Sequence, residues 1–313
     1  MSFPVQPLLA TTQAKSLVEL QLIQPLWNQY GGLYRAHIDD GRSVIAKWVV
    51  PPADQGGLGH QRKLRSYQVE LDWYRHHAEY CGEVSRVPAY LGEHLLDNGT
   101  LMVLEDLATA GFSPLSQDQG HSHLEAMIRW LAGFHARFMG SAPDGLWEQG
   151  CYWHLATRPD EWAAMEPGPL KDAAVAIDTQ LQGARYQSLV HGDAKVANFL
   201  GNDFGQVAAV DFQYVGGGAG IRDLVYLLGS VLSDDALEAH AFELLDRYCQ
   251  ALIEQLRAKG WDVAQLDAVL AEQSALFPFA WADFERFLQG WKPGHWKLGR
   301  FSQAMTRRAL ALL

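Results

Sequence analysis

The segment from residue 188 to residue 213 constrains the fold more than any other part of this 313-residue chain. It contains Val-His-Gly-Asp at 190–193, continues through Asn198 to Phe199-Leu200, and ends with Ala-Val-Asp-Phe-Gln at 209–213. This order predicts three short strands, 188–190, 199–200 and 206–210, with a polar loop after the first. Two Asp, one Asn and one Lys therefore fall on one loop and at the end of a nearby strand. Carboxylate and amide oxygens placed so close together favour a site for Mg²⁺.

Composition excludes several other classes of protein. Apolar residues make up 48% of the chain and charged residues 19%, which is typical of a globular protein. The net charge of −11 argues against a nucleic-acid-binding surface, although a few local cations could still bind a nucleotide. No run approaches the roughly 20 apolar residues needed to cross a membrane, and no signal peptide is recognisable. The three cysteines lack metal-binding spacing, so we expect free thiols in a reducing cytoplasm.

The first hundred residues predict a small antiparallel sheet with one helix. Alternating and turn residues predict strands at 18–26, 33–39, 43–50, 89–95 and 101–105. Gly31-Gly32 is expected to separate the first two strands. Lys47 lies on the third strand among aliphatic residues, and Glu70 borders the apolar stripe of a helix predicted over 60–80. Helices dominate after residue 107, so we expect lobes of 1–107 and 108–313.

Helix signals in the second part are less regular. Ser122 and Glu125 match a capping box at the start of a helix that Gly140 would close. Two long helices are predicted over 234–259 and 263–276. The glycine-rich run 216–220 lacks the Lys-Ser/Thr of a phosphate-binding P-loop and is interpreted as a flexible activation-type segment.

The constellation in 188–213 suits phosphoryl transfer. Such a site needs metal ligands, a cation near the phosphates and a group that orients the attacking hydroxyl. Asp193 and Asn198 are five residues apart and can reach a common centre, while Asp211 offers a second carboxylate. Lys195 projects from the same loop and could neutralise charge on the transferred group.

These motifs resemble the protein-kinase-like superfamily of small-molecule kinases. His191-Gly192-Asp193 with Asn198 is similar to the catalytic loop of aminoglycoside phosphotransferases and choline kinases. The order of Val-Leu-Glu-Asp-Leu at 103–107, Val-His-Gly-Asp at 190–193, Asp-Phe-Gln at 211–213 and Asp-Leu at 223–224 resembles the ecdysteroid-kinase-like branch more closely. The resemblance implies an α+β, bilobal protein-kinase-like fold. Its N-lobe would be an antiparallel sheet with one main helix, and its C-lobe would be mostly helical.

The resemblance also implies roles for individual residues, with ATP and Mg²⁺ as cofactors. Asp193 would be the catalytic base, assisted by Lys195, while Asn198 and Asp211 would hold Mg²⁺. Lys47 would contact the nucleotide phosphates and pair with Glu70. The remaining implied nucleotide contacts are Gly31 and Gly32 near the phosphates and the backbone of Glu105, Asp106 and Leu107 near adenine. Asp223 would brace the catalytic loop. The first hairpin lacks the full GxGxxG pattern, and Gln213 replaces the Gly of the protein-kinase DFG triplet.

The acceptor is predicted only by class. Eleven residues separate Asp211 from Asp223, too few for the peptide-binding platform of a protein kinase, which favours a small hydroxylated molecule. Trp281, Trp291 and Trp296, with Asp283 and His295, could serve a ring-bearing or cationic alcohol. An ATP-binding pseudokinase and an atypical protein kinase remain alternatives. The identity of the acceptor and the oligomeric state stay open.

Overall fold

The computed structural model describes residues 3–52 and 56–313 and divides the chain into two compact units. The N-terminal unit comprises Met1–Tyr80 and Val87–Ser113, and the C-terminal unit comprises Cys81–Arg86 and Pro114–Leu313. The short passage 81–86 thus belongs to the C-terminal unit although it precedes the last strands of the N-terminal one.

A five-stranded antiparallel sheet forms the centre of the N-terminal unit. Its strands are β1 (Leu17–Pro25), β2 (Gly31–Ile38), β3 (Ser43–Val49), β4 (Tyr90–Leu96) and β5 (Gly99–Glu105), in the order β1-β2-β3-β5-β4. The helices of this unit are α1 (Val5–Thr12) and α2 (Leu58–His76). Because successive strand residues face opposite sides, Val44, Ala46 and Trp48 enter one core cluster with Leu8 of α1. Lys47 consequently faces the other side of the sheet.

The C-terminal unit is mostly helical. Its helices are α3 (Gln117–Phe138), α4 (Pro159–Ala164), α5 (Pro169–Asp172), α6 (Ala174–Gln182), α7 (Ile221–Val231), α8 (Asp234–Ala258), α9 (Val263–Trp291) and α10 (Arg300–Ala311). After β6 (Ser113–Pro114), where the chain passes between the units, the strands are β7 (Ser188–Val190), β8 (Phe199–Gly201), β9 (Val207–Ala209) and β10 (Gly216–Gly218). Strand β7 pairs with β10, and β8 pairs with β9, both antiparallel. Helix α9 packs against α4, α6, α7, α8 and α10.

Two helix boundaries differ from the sequence prediction. The capping box of α3 is Ser116 with Gln119, not Ser122 with Glu125, because the first turn is polar and exposed and carries no apolar periodicity. Helix α9 continues to Trp291 through Pro278. A proline inside a helix costs about 3 kcal/mol, but every residue from Leu276 to Leu288 is buried here. Burial of so many large apolar side chains offsets that cost.

Two loop assignments were also wrong. Gly31 and Gly32 do not separate β1 from β2 but lie inside β2, and residues 26–30 make the connection. Gly216–Gly218 is not a flexible segment but the buried strand β10. A Cβ on Gly216 would lie 2.2 Å from the carbonyl oxygen of Trp147, so glycine lets two backbones approach closely.

The fold class predicted from the sequence is confirmed. An antiparallel sheet with few helices is followed in the chain by a helical unit, which is an α+β arrangement. Among the described residues, no helix is both long enough and apolar enough to cross a membrane.

Candidate active site

Strand β7 leads directly into the polar loop that carries His191, Gly192 and Asp193. The loop continues into a turn of 3₁₀ helix, Val196–Asn198, before β8 begins. The N–H of Val210 donates to the carbonyl oxygen of Asn198 at 2.9 Å, which holds the end of β9 beside the loop. The β8–β9 hairpin therefore brings Asp211 back towards Asp193, as the spacing predicts.

Gly192 and Asp223 fix the shape of this loop. Gly192 has φ +80°, and a Cβ there would lie 2.1 Å from the carbonyl oxygen of Tyr214. The carboxylate of Asp223 on α7 accepts the backbone N–H of His191 at 2.6 Å and that of Gly192 at 2.9 Å. His135 Nε2 lies 3.1 Å from the same carboxylate. Asp223 is fully buried, so its contacts are with the loop backbone and His135, which fits a bracing role.

His191 is buried, and both nitrogens of its imidazole ring make hydrogen bonds to the backbone. Its Nε2 lies 3.0 Å from the carbonyl oxygen of Val210, and its Nδ1 is 3.3 Å from the N–H of Asp193. These contacts assign the proton to Nε2 and leave Nδ1 as an acceptor. The ring also packs against Phe212, with centroids 4.5 Å apart. His191 therefore positions Asp193 and does not face a reacting group.

The two carboxylate oxygens of Asp193 have different surroundings. Oδ2 accepts from Lys195 Nζ at 2.9 Å and from Asn198 Nδ2 at 3.0 Å. Oδ1 is buried and makes no hydrogen bond of normal geometry with the described residues, although the hydroxyl of Tyr226 on α7 lies close enough to Asp193 to interact with its carboxylate. Burial raises the pKa of Asp193, Lys195 opposes this rise, and the neighbouring Asp211 adds to it. An oxygen without a regular hydrogen bond, on a carboxylate whose pKa is raised, suits a group that accepts a proton.

Asn198 and Asp211 have the chemistry of Mg²⁺ ligands. Asn198 uses its amide nitrogen twice, on the carbonyl and carboxylate oxygens of Asp193, and this leaves Oδ1 to face a cation. Asp211 has φ +66°, and its Oδ1 accepts from Gln213 Nε2 at 2.6 Å. In residues 3–52 and 56–313, no three His, Cys, Asp or Glu side chains form a metal site by themselves. A cation held here would therefore draw further oxygens from water or substrate, as Mg²⁺ commonly does.

The N-terminal unit brings Lys47 and Glu70 together. Lys47 Nζ on β3 lies 2.5 Å from Glu70 Oε2 on α2, and both side chains are less than a tenth exposed. The pair lines a pocket of about 390 Å³, whose walls include Tyr67, Leu71 and Met102. Because an unpaired buried charge is strongly unfavourable, each member of the pair compensates the charge of the other inside this pocket.

The glycines of β2 have a structural reason to be glycine. Gly31 has φ +117°, and a Cβ would lie 1.9 Å from the carbonyl oxygen of Trp48 on β3. A Cβ on Gly32 would lie 2.8 Å from the ring of Tyr34. The turn before them contains Asn28 and Gln29, both with positive φ. Strand packing alone thus accounts for both glycines, and no local sequence pattern predicted this turn.

Segment 105–107 contains one strongly bound carboxylate. Asp106 accepts from Arg35 Nε at 2.6 Å, from Ser43 Oγ at 2.7 Å and from the N–H of Ala108 at 3.1 Å. Burial opposes ionisation, but the hydrogen bonds from Arg35 and Ser43 outweigh it and lower the pKa of Asp106. Leu107 is buried, and Glu105 accepts the N–H of Ala89 at 2.9 Å. The hydrogen bonds of the Asp106 side chain are therefore all made within the fold. A ligand at this segment would contact backbone groups instead.

Only part of the suggested acceptor-binding group is available to a ligand. Trp281 is buried against Phe277 and Phe301. Asp283 is fully buried and accepts from Arg222 Nη2 at 2.9 Å and Arg286 Nε at 3.0 Å. Trp291 and Trp296 are more than half exposed and flank His295. Trp281 and Asp283 therefore belong to the core.

Two residues beside Asp193 were missed by sequence reasoning. Tyr226 on α7 is buried, and burial followed by the charge of Asp193 raises its pKa. Lys297 interacts electrostatically with Asp193 although 104 positions separate them in the chain. Neither residue lies in a recognisable motif, and only the packing of α7 and the segment after α9 brings them to the loop.

Comparison with known proteins agrees with this geometry. Residues 170–261 match the profile of the Ecdysteroid kinase-like family. This range contains the loop from His191 to Asn198, Asp211 and Asp223. No curated protein matches the chain in sequence.

Solved structures of small-molecule kinases share the fold. An ethanolamine kinase from Plasmodium vivax is 11% identical, with 95% of this chain and 83% of that chain covered at a TM-score of 0.55. A putative fructosamine-3-kinase from Thermobifida fusca is 18% identical, with 95% and 97% covered at 0.55. The amicoumacin kinase hAmiN, solved with AMP-PNP, Ca²⁺ and Ami, is 16% identical, with 99% and 92% covered at 0.51. The predicted resemblance is thus confirmed: the chain has the protein-kinase-like fold of small-molecule kinases.

Proposed function

We propose that the protein is a kinase that transfers the γ-phosphoryl group of ATP, with Mg²⁺, to a hydroxyl group of a small molecule. The arrangement of Asp193 carries this proposal. One carboxylate oxygen is fixed by Lys195 and Asn198, and the other is buried without a regular hydrogen bond among the described residues. The similarity to kinases, one of them solved with AMP-PNP, supports the same reaction class.

In the proposed reaction, Asp193 Oδ1 accepts the hydrogen bond of the acceptor hydroxyl. The hydroxyl oxygen forms a bond to the γ-phosphorus while the bond from that phosphorus to the bridging oxygen of ADP breaks. The hydroxyl proton passes to Asp193, and ADP leaves with the electron pair of the broken bond. Lys195 lies beside the reacting group, where its charge favours the transition state.

The cofactor assignments follow the same proposal. Asn198 and Asp211 would hold Mg²⁺, which neutralises charge on the phosphate oxygens when it is bound. In the N-terminal unit, Lys47 would contact the phosphates and Glu70 would orient Lys47. The backbone of Glu105, Asp106 and Leu107 would bind adenine, and the strand containing Gly31 and Gly32 would approach the phosphates.

The region after Asp211 supports a small acceptor and not a protein. Strand β10 is buried and paired with β7, and α7 begins at Ile221, directly after Gly220. The residues between Asp211 and Asp223 are thus occupied by a strand and a helix start. A peptide-binding platform would need additional chain at this point.

Asp193→Asn provides the most direct test. We expect kcat for ATP-dependent phosphorylation to fall about 10²- to 10⁴-fold, the usual contribution of a positioned base. The Kd for Mg²⁺–AMP-PNP should stay within about twofold, because Asp193 is not a proposed phosphate or metal ligand. Isothermal titration and turnover of labelled ATP against a panel of small alcohols measure both quantities. Asp203→Asn, at an exposed loop carboxylate, is the matched control.

Different outcomes would favour the alternatives. Near-normal kcat in Asp193→Asn would exclude Asp193 as the base. Binding of Mg²⁺–AMP-PNP without phosphorylation of any alcohol would favour a pseudokinase. Labelled phosphate that appears only in protein would favour an atypical protein kinase.

A further inference from the structure

An aromatic cluster lies next to Asp193 inside the C-terminal unit. Tyr226 donates from its hydroxyl to that of Tyr152 at 3.2 Å, and the two ring centroids are 5.5 Å apart. Phe284 and Phe287 on α9 continue the cluster, with centroids 5.2 Å from Tyr226 and 5.3 Å from Tyr152 respectively. The pKa values of Tyr152 and Tyr226 are raised by burial first and then by the charge of Asp193. The cluster is thus within electrostatic reach of the proposed base.

Aromatic faces of this kind attract cations. A quaternary ammonium group binds well in a cage of such rings, because the ring faces carry negative potential. A cluster beside the catalytic carboxylate would therefore suit a cationic alcohol, if its faces were open.

Two cationic side chains of the protein already lie against these rings. Lys297 Nζ lies 4.9 Å from the ring centroid of Tyr226, 5.6 Å from that of Phe284 and 5.4 Å from that of Trp296. The guanidinium of Arg158 lies 5.6 Å from the ring centroids of both Tyr152 and Phe287. A cationic acceptor would have to displace these groups and would meet their positive charge, in addition to that of Lys195.

Lys297 has no carboxylate in direct contact. Among the residues that the structure describes, no carboxylate lies within 4.0 Å of its ammonium group, and that group donates no hydrogen bond. Burial lowers the pKa of Lys297 to about 8, with Asp193 opposing and Lys195 adding to this shift. Three ammonium donors thus remain for a ligand at the edge of the aromatic cluster.

We propose that Lys297 binds the acceptor and that the acceptor carries an anionic oxygen group, such as a carboxylate, in addition to its hydroxyl. This inference rests on the proposed kinase function and deepens it by naming the acceptor class. The ammonium would pair with the anionic group, the accessible rings of Tyr152 and Trp296 would cover the apolar part, and the hydroxyl would reach Asp193. Charge-assisted hydrogen bonds of this type are short and strong in a partly buried site.

Three probes with the same ring test the charge preference. They are 4-(hydroxymethyl)benzoate, 1,4-benzenedimethanol and 4-(hydroxymethyl)benzylamine, which are an anion, a neutral molecule and a cation. Binding in the presence of Mg²⁺–AMP-PNP, and phosphorylation with Mg²⁺–ATP, are measured for the unmodified protein and for Lys297→Met and Lys297→Arg. Lys292→Met, at an exposed lysine in the same segment, is the control.

We expect the unmodified protein to bind the anion at least about tenfold more tightly than the cation. Lys297→Met should abolish or reverse this preference, Lys297→Arg should retain most of it, and Lys292→Met should not change it. Equal binding of the three probes, failure of all three to bind, or preference for the cation would overturn the inference. An increase in KM for ATP alone in Lys297→Met would also overturn it, because Lys297 would then serve the nucleotide.

Failure of the inference is distinguishable from failure of the proposed function. Binding of Mg²⁺–AMP-PNP and Asp193-dependent release of phosphate from ATP are measured without any acceptor. If both are present while the charge preference is absent, only the acceptor class is wrong. If both are absent, the kinase proposal itself fails.

Discussion

At the scale of single residues, the site depends on the unequal surroundings of chemically equal groups. Asp193 has one oxygen held by Lys195 and Asn198 and one buried oxygen without a regular hydrogen bond among the described residues. Asp223 is also buried, but its carboxylate accepts two backbone N–H groups and faces His135. The first arrangement suits proton transfer and the second suits support. The residue type alone does not distinguish them.

The lowered pKa of Lys297 predicts a pH dependence of acceptor binding. The side chain of Lys297 is protonated below about pH 8 and loses its charge above it, so 4-(hydroxymethyl)benzoate should bind best at neutral pH. Between pH 7 and pH 9 its Kd should rise about tenfold if only the charged form binds. The groups that face Lys297 are Asp193, Lys195, Tyr226 and His295. Titration calorimetry at constant ionic strength measures this change.

Two comparisons isolate Lys297 in that experiment. Lys297→Met should give weak binding that is flat across the same pH range, and the neutral diol should also show no trend. His295 cannot mimic the effect, because burial and the neighbouring lysines lower its pKa below the ordinary value of 6.5. A pH trend that persists in Lys297→Met would assign the titration to another group.

Sequence reasoning identified the loop residues but not the residues opposite them. Asp193, Lys195 and Asn198 share one short loop, so local spacing is sufficient to group them. Asp211 follows because a hairpin brings it back to the loop. Lys297 and Tyr226 reach the same place through the packing of α7 and the segment after α9. No local pattern encodes that packing.

At the scale of elements, the β7 loop depends on the backbone conformation at Gly192. Gly192→Ala should be destabilising both because φ is +80° and because the new Cβ would meet the carbonyl oxygen of Tyr214. Gly205→Ala is a matched control, since Gly205 has φ +74° with nothing within 4 Å of the added Cβ. The control should lose about 1 kcal/mol of unfolding free energy, and Gly192→Ala at least twice as much. Urea denaturation measures both variants.

The kinetic result for Gly192→Ala separates a local from a general effect. A shifted loop should lower kcat more than it raises the KM for ATP, because Asp193 is the next residue. Equal destabilisation by the two alanine substitutions would show that the clash with Tyr214 is relieved at little cost.

The ion pair between β3 and α2 yields a prediction for the N-terminal unit. Glu70→Gln removes the negative charge beside Lys47 while keeping the size of the side chain. Unfolding free energy should fall by up to about 3–5 kcal/mol, the cost of removing one partner from a buried ion pair. The Kd for Mg²⁺–AMP-PNP should rise at least about tenfold if Lys47 is held for the phosphates. Urea denaturation and calorimetry give the two values.

Glu79→Gln, at an exposed carboxylate just after α2, serves as the control for Glu70→Gln. It should change neither quantity appreciably. Loss of stability in Glu70→Gln with unchanged nucleotide binding would mean that the pair only supports the fold.

Elements marked by local residue type and periodicity were predictable, and elements defined by other parts of the chain were not. The five strands and α2 fall close to the predicted ranges, and Lys47 was assigned correctly to β3. The start of α3, the length of α9 and the strand character of 216–218 were not predicted. Helix α3 begins with a polar turn, α9 continues through a buried proline, and the backbone of 216–218 pairs with β7. The local sequence pattern predicts none of these three features.

At the scale of the whole molecule, net charge is a poor guide to the ligand. The chain carries a net charge of −11, which by itself favours a cationic acceptor. Around Asp193, however, the nearby cations are Lys195 and Lys297. Arg158 adds a third cation over the neighbouring ring of Tyr152. Surface charges beyond about 8 Å are largely screened at physiological salt, whereas partly buried cations are not. An anionic acceptor is therefore proposed from these local cations and not from the net charge of the chain.

A buried charge network joins the central helices of the C-terminal unit. Arg222 on α7 contacts Asp283 on α9 at 2.9 Å and Asp178 on α6 at 3.7 Å, while Arg286 contacts Asp283 at 2.9 Å. Burial alone would raise the pKa of Asp283, but Arg286 and Arg222 outweigh it and lower the pKa. The folded state therefore binds this proton less readily than the unfolded chain does.

This sign predicts how acid affects the stability of the molecule. The contribution of Asp283 is fully present above its ordinary pKa of 3.8 and is lost as pH falls through the lower folded value. At pH 7, Asp283→Asn should reduce the unfolding free energy by about 3–5 kcal/mol, because it leaves two buried guanidinium groups undercompensated. The difference between the variant and the unmodified protein should narrow below pH 4. Asp267→Asn, at an exposed position on the same helix, should show neither effect in parallel urea titrations. A difference that stayed constant down to pH 2 would mean that Asp283 acts through packing and not through its charge.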